Sequence, residues 1–190
     1  MSERINEILL VTNNADGSAH IAPMGLRWRG EICLLAPFRP SRTLDNLLRD
    51  RHASINTTDD VRLYAGCLTG RRDWPTQRCT RIACTRLSGA LSHREVEVVR
   101  VEQDEQRPQF LCRTVHIENH RPFAGYNRAQ AAVLELAILV SRLDRLPDDK
   151  IDSEIAYLQI AIDKTAGAEE QEAWRWLLRR VEEHRARACA

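Results

Sequence analysis

Short apolar runs broken by turn residues fill the first part of the chain, and longer apolar stripes at helical spacing fill the last part. Ile5 to Val11 is apolar and β-prone, and Asn13-Asn14-Ala15-Asp16-Gly17 follows it with turn chemistry. Asp-Gly between two such runs predicts a hairpin, because glycine accepts the positive φ these turns need. The return strand is Ser18 to Trp28. His20, Ala22, Met24, Leu26 and Trp28 lie on one face, and Ala19, Ile21, Pro23, Gly25 and Arg27 on the other. Pro23 cannot donate to a ladder and Gly25 offers no side chain, so the pair predicts either a bulge or a place where a flat ligand approaches the backbone. Arg29-Gly30 then turns the chain into a third strand, Glu31 to Ala36, completing an antiparallel meander.

After the polar loop Phe38 to Thr43, Leu44, Leu47 and Leu48 give a one-sided stripe that predicts a short helix through Asp50. His52 to Thr57 reads as a fourth strand. Thr57-Thr58-Asp59-Asp60 has the polar caps and acids of a helix start, and Val61, Tyr64, Ala65 and Leu68 follow at helical spacing toward a stop at Gly70. Gly70 to Thr80 reads as a loop. Ile82 to Leu91 and Arg94 to Val101 read as a bent or bulged strand region, and Gln109 to Asn119 pairs with it. About six strands with two inserted helices predict a small, closed or partly closed antiparallel barrel.

The pattern changes beyond His120-Arg121-Pro122. Ala129, Val133, Leu136, Ala137, Val140 and Leu143 form one stripe, closed by Pro147. Ile151, Ile155, Leu158 and Ile162 form a second, and Trp174, Leu177, Leu178 and Val181 form a third beyond Gly167. The expected fold is mainly β with a helical appendage (α+β): a barrel over residues 1–122 and a helical region over residues 123–190 that packs on the barrel or on a second subunit.

Composition narrows the function classes. A formal net charge of +1 and 5% aromatic residues give neither the field nor the stacking platforms of a nucleic-acid-binding barrel, which stays a remote alternative despite Arg27, Arg29, Arg39, Arg42, Arg71, Arg72 and Arg78. No apolar run reaches the ~20 residues of a membrane span, and MSERINEILL lacks the pattern of a signal peptide, so a cytoplasmic protein without a membrane partner is expected. The six cysteines include no CxxC pair. The nearest two are Cys79 and Cys84, and Cys33 and Cys112 sit in strand-like runs where buried thiols are common. No metal is expected: His116 and His120 share a strand face but lack a carboxylate pattern, and His93 and His184 read as exposed polar positions. No Gly-x-Ser-x-Gly, Walker or Gly-x-Gly-x-x-Gly motif is present, against hydrolase, ATPase and Rossmann readings. Asp59 and Asp60 read as caps rather than catalytic carboxylates. Arg71, Arg72 and Trp74 form either a grip for a nucleotide-like substrate or a solvated loop with one anchoring aromatic.

The loop Phe38-Arg39-Pro40-Ser41-Arg42-Thr43 is the clearest chemical feature. Two cations and two hydroxyls precede a helix whose first amides lack partners, which makes a phosphate cradle.

The string His20-Ile21-Ala22-Pro23-Met24-Gly25, with Pro37 to Thr43, Asn46-Leu47, Asn56-Thr57-Thr58-Asp59-Asp60-Val61 and Asn127-Arg128-Ala129, resembles the flavin-binding split-barrel superfamily. More narrowly, it is similar to the family called domain of unknown function 447, known from archaea and some methylotrophic bacteria. The resemblance implies a six-stranded split barrel and a homodimer with FMN near the interface. It implies that Ser41, Arg42 and Thr43, with Arg39 in the same loop, meet the phosphate. Ala22, Pro23, Met24 and Gly25 would border the ring, and Asn56, Thr57 and Thr58 would approach it from the next strand. The implied function is an FMN-dependent, flavin reductase-like oxidoreductase taking electrons from NAD(P)H or a small-molecule substrate, in one-carbon or pterin metabolism. The alternative is a non-catalytic FMN carrier or sensor. Fold alone does not choose between them.

Overall fold

The computed structural model describes residues 4–188. It divides into two units, one made of the chain up to Thr58 with Trp74–Phe123, the other of Asp59–Asp73 with Ala124 onward.

The first unit is a closed six-stranded antiparallel barrel, in the order β1-β2-β3-β8-β7-β4. The strands are β1 (Asn6–Asn13), β2 (Ala19–Arg29), β3 (Ile32–Leu35), β4 (His52–Thr57), β7 (Ser92–Glu102) and β8 (Gln109–Asn119). Alternation sorts their side chains. Ile8, Leu10, Leu26, Cys33, Ala53, Ile55, Val96, Phe110 and Cys112 fill the interior, and helix α1 (Arg42–Asp50) adds Leu44 and Leu47. Leu9, Val11, Ser54, Asn56, His93 and Glu95 take the opposite face, yet all are buried as well. The segment Trp74–Leu91, carrying the small hairpin β5 (Thr76–Arg78) and β6 (Thr85–Leu87), covers that outer face: Leu87 N–H donates to Asn56 Oδ1 at 2.9 Å, and Asn13 Nδ2 donates to Ala83 O at 2.8 Å.

Two expectations change here. The run from Ile82 to Leu91 is strand only over Thr85–Leu87, and the loop from Gly70 to Thr80 contains β5. The β1–β2 register is also unbroken from Asn6↔Leu26 to Asn13↔Ala19, so Pro23 and Gly25 mark no bulge. The bulges lie between β7 and β8, at Glu95/Val96 and Val98/Arg100.

The second unit is helical: α2 (Arg62–Leu68), α3 (Arg128–Val140), α4 (Asp148–Thr165) and α5 (Ala168–Ala188). Val61, Ala65, Val133, Leu136, Ile151, Ile162, Trp174 and Leu177 share one core. Asp60 serves the start of α2, accepting from Arg62 N–H at 3.0 Å and from the Arg62 guanidinium at 2.7 and 2.9 Å. Asn127 caps α3, accepting from the amides of Ala129 and Gln130 and donating to Thr165 O on α4 at 3.0 Å. Asn127→Ala should therefore cost about 1–2 kcal/mol, read as a shifted urea midpoint at unchanged m-value. Among the described residues no helix is long and apolar enough to cross a membrane.

Candidate functional site

The split in the barrel follows from the register. β3 pairs with β2 only over Arg27–Arg29, and with β8 only over Phe110–Arg113. The residues Ala19–Leu26 of β2 thus pair with β1 alone, and no other described strand takes up their second edge. Every residue from Ala19 to Gly25 is half-buried, unlike the sealed runs of β1 and β3. Ala22, Pro23, Met24 and Gly25 therefore lie on an edge whose backbone groups the sheet leaves unused. A proline is tolerated at such an edge, and Gly25 leaves room that Ile5 Cγ2 approaches, 2.8 Å from where a Cβ would stand.

The loop before α1 is tied to this edge. His20 Nε2 and Thr43 Oγ1 are 3.1 Å apart, which pins the first turn of the helix against the start of β2. Ser41 is the N-cap, its Oγ accepting from Leu44 N–H at 3.2 Å. The amides of Arg42 and Thr43 have no carbonyl one turn back and sit at the positive end of the helix dipole. Arg42 is exposed and forms no ion pair with Asp45 or Asp50; Asp50 is held instead by Arg49 at 2.7 Å. Arg39 is exposed too, its N–H donating to Gln106 O at 2.8 Å. From His20 to Pro23 the strand rises roughly 10 Å, so an anion site and a flat edge lie about that far apart on one element.

Asn56 stands elsewhere. β1 lies between β2 and β4, so β4 is not the next strand, and the Asn56 side chain is 0% exposed beneath the covering segment. Its Nδ2 donates to Leu9 O, Ser54 O and Ser54 Oγ, and its Oδ1 accepts from Leu87 N–H, which commits the amide to the protein. Thr57 is exposed at the strand end, its Oγ1 2.7 Å from Ser92 Oγ, and Thr58 is half-buried. Arg71 lies 4.1 Å over the Trp176 ring and donates to Thr69 Oγ1 at 2.8 Å, whereas Trp74 belongs to the barrel unit.

A second polar constellation sits on the outer face of β7 and β8, and it corrects the reading of His93 as exposed. His93 and Glu95 are both 0% exposed. Glu95 accepts from the amides of Thr80, Arg81 and Ile82 at 2.6, 2.6 and 3.1 Å. Burial alone would raise its pKa, but those amides and His93 outweigh burial and hold it below the usual carboxylate range. Burial pushes His93 down, against the pull of Glu95, so its ring is neutral near pH 7. With Glu95 ionised, the 3.2 Å contact from His93 Nε2 is an N–H donation, and the Nδ1 lone pair is turned toward His120 Nε2 at 2.9 Å. The signal that finds this cluster is the period-two placement of His93 and Glu95 opposite Glu118 and His116 across the ladder.

The family model for the DUF447 N-terminal domain, a protein of unknown function, matches residues 6–121, and the model for its C-terminal region matches residues 127–179. The chain belongs to the DUF447 family. Among solved structures, this DUF447 chain is similar to an FMN-bound DUF447 protein from Methanosarcina mazei, with 19% identity, a TM-score of 0.80, and coverage of 94% of this chain and 96% of that one. The chain is also similar to a 2-nitrobenzoate 2-nitroreductase from Pseudomonas fluorescens (18% identity, TM-score 0.54, 63% of this chain and 66% of that one covered). A third match is the flavin reductase of a bacterial two-component tryptophan halogenase (18% identity, TM-score 0.52, 64% and 84% covered). These likenesses establish the flavin-binding split-barrel type of fold. A search of curated proteins returns no match.

Proposed function

We propose that this DUF447 chain binds FMN along the open edge of β2 and works as a flavin reductase-like oxidoreductase. The carrying observation is that His20 and Thr43 fasten an anion-binding helix start, with an exposed Arg42, to a stretch of β2 whose second edge no other described strand takes up. The donor set fits the cofactor: the Arg42 guanidinium and the first helical amides suit a phosphate monoester, and the Ala22–Gly25 edge suits a planar heterocycle. Bound there, FMN would supply hydride and electron transfer. The chain's own residues would do the rest. Ser41 fixes the cap, Arg42 and the amides bind and neutralise the phosphate, Gly25 makes room for Ile5, and Pro23 removes a ladder donor from the ring edge. The FMN-bound family member and the flavin reductases among the structural neighbours support this reading, and NADH or NADPH is the electron donor it suggests. The half-buried β2 edge also suits a cofactor completed by a second copy of the chain, with FMN near a homodimer interface.

The test is a titration of flavin-free protein with FMN and FAD, followed by NADH or NADPH without oxygen. FMN should bind at least tenfold tighter than FAD, since the chain has one compact phosphate loop and no Gly-rich diphosphate motif. Bleaching of the flavin band by a nicotinamide supports a reductase. Tight FMN binding without bleaching favours the carrier or sensor.

A further inference from the structure

We propose that His93, His120 and Glu118, with His116 beside them, form a binding site for a divalent transition ion of the zinc class, on the outer face of the barrel at the β7–β8 end. The ligand atoms of His93, Glu118 and His120 lie within 4.8 Å of one another. His93 Nδ1 and His120 Nε2 are 2.9 Å apart, and the two rings are parallel to within 8°. Two nitrogens at ~2.0–2.1 Å from one tetrahedral ion stand roughly 3.3 Å apart, so the pair need open by only a few tenths of an ångström.

Three further observations separate this cluster from an ordinary imidazole pair. First, His93 donates its other ring nitrogen to Glu95, a fully buried carboxylate fixed by three backbone amides, which is the outer support that metal-ligating histidines use. Second, His116 Nε2 is buried without a hydrogen-bond partner, and its ring centroid is 5.7 Å from that of His93. A buried orphan nitrogen beside the His93 ring is a donor atom still open to a further partner. Third, the Glu118 carboxylate reaches both neighbours, 3.7 Å from His116 Nε2 and 3.9 Å from His120 Nδ1, and its half-exposed position leaves a route for the ion to enter. Imidazole nitrogens with one carboxylate suit zinc, cobalt(II) and nickel(II), and disfavour magnesium or calcium. A second grouping, Cys79 with His93 and Glu95, is weaker, because Glu95 is already committed to the amides of residues 80–82.

The inference stands apart from the flavin reading and applies to flavin-free protein. The experiment is a Zn2+ titration of chelator-treated full-length chain against a chromophoric competitor, with Co2+ absorption as the second readout. One ion should bind per chain, and bound Co2+ should show ligand-field bands without a thiolate charge-transfer band. His120→Ala and Glu118→Gln should each weaken Zn2+ by at least the ~10–100-fold that loss of an outer-shell partner costs. Cys79→Ser should leave affinity unchanged, and all three variants should keep the wild-type circular dichroism and flavin affinity. The proposal is overturned if the wild-type chain binds no Zn2+, if His120→Ala binds it as tightly, or if only Cys79→Ser loses it.

Discussion

Glu95→Ala should destabilise the barrel unit by about 3–5 kcal/mol, more than any other polar substitution in it. The carboxylate is fully buried and gathers four donors: the amides of Thr80, Arg81 and Ile82, and His93 Nε2. Removing it leaves a bend of backbone with no acceptor and a buried imidazole with an unpaired N–H, each costing roughly 1–3 kcal/mol if water cannot reach it. Glu95→Gln should recover only part of the loss, since its amide nitrogen would face donors. Urea unfolding gives the magnitude. Hydrogen exchange gives the location, with protection at residues 80–82 falling before that of β1 or β8. If both variants unfold at the wild-type midpoint, Glu95 does not hold the covering segment.

Arg42→Ala should weaken FMN by about one to two powers of ten and leave riboflavin nearly unchanged. A charge-assisted hydrogen bond to phosphate is worth roughly 1.5–3 kcal/mol, and riboflavin has no phosphate to lose it. The same change should move stability by no more than about 0.5 kcal/mol, because Arg42 is exposed and makes no ion pair with the helix acids. Arg39→Ala is the comparison, and it should have the smaller effect because Arg39 precedes the helix. Equal losses for both flavins, or none, would remove Arg42 from the phosphate site.

The barrel was legible because its strands carry local signals. Asp16-Gly17 and Arg29-Gly30 set two turns, and His52–Thr57 and Gln109–Asn119 occupy the spans their β-prone residues predict. The Ser41 cap and the helix after it were legible for the same reason, since they are neighbours in sequence. What stayed hidden depends on contacts far along the chain. His93 looks exposed because alternation places it outside the barrel, and nothing near it says that residues 80–87 cover that face. Asn56 looks like a ligand residue until Leu87, 31 positions away, donates to it. The pairing of Pro23 and Gly25 suggests a bulge or a ligand edge, and only the unbroken register, set by contacts with β1, removes the bulge.

The course of the chain around α2 has a consequence for how this protein can be cut. The strands on either side of it, β4 of the barrel and β5 of the covering hairpin, belong to one unit, whereas Asp59–Asp73 belongs to the other. A fragment ended at Phe123 would look like a complete barrel domain, yet it would carry Val61 and Ala65 without the α3 and α5 side chains that share their core. Such a fragment would present a sticky apolar helix in the middle of its own sequence, where trimming the ends cannot remove it. An excised barrel needs a short polar loop in place of residues 59–73, and the excised helices need that segment supplied as a separate peptide.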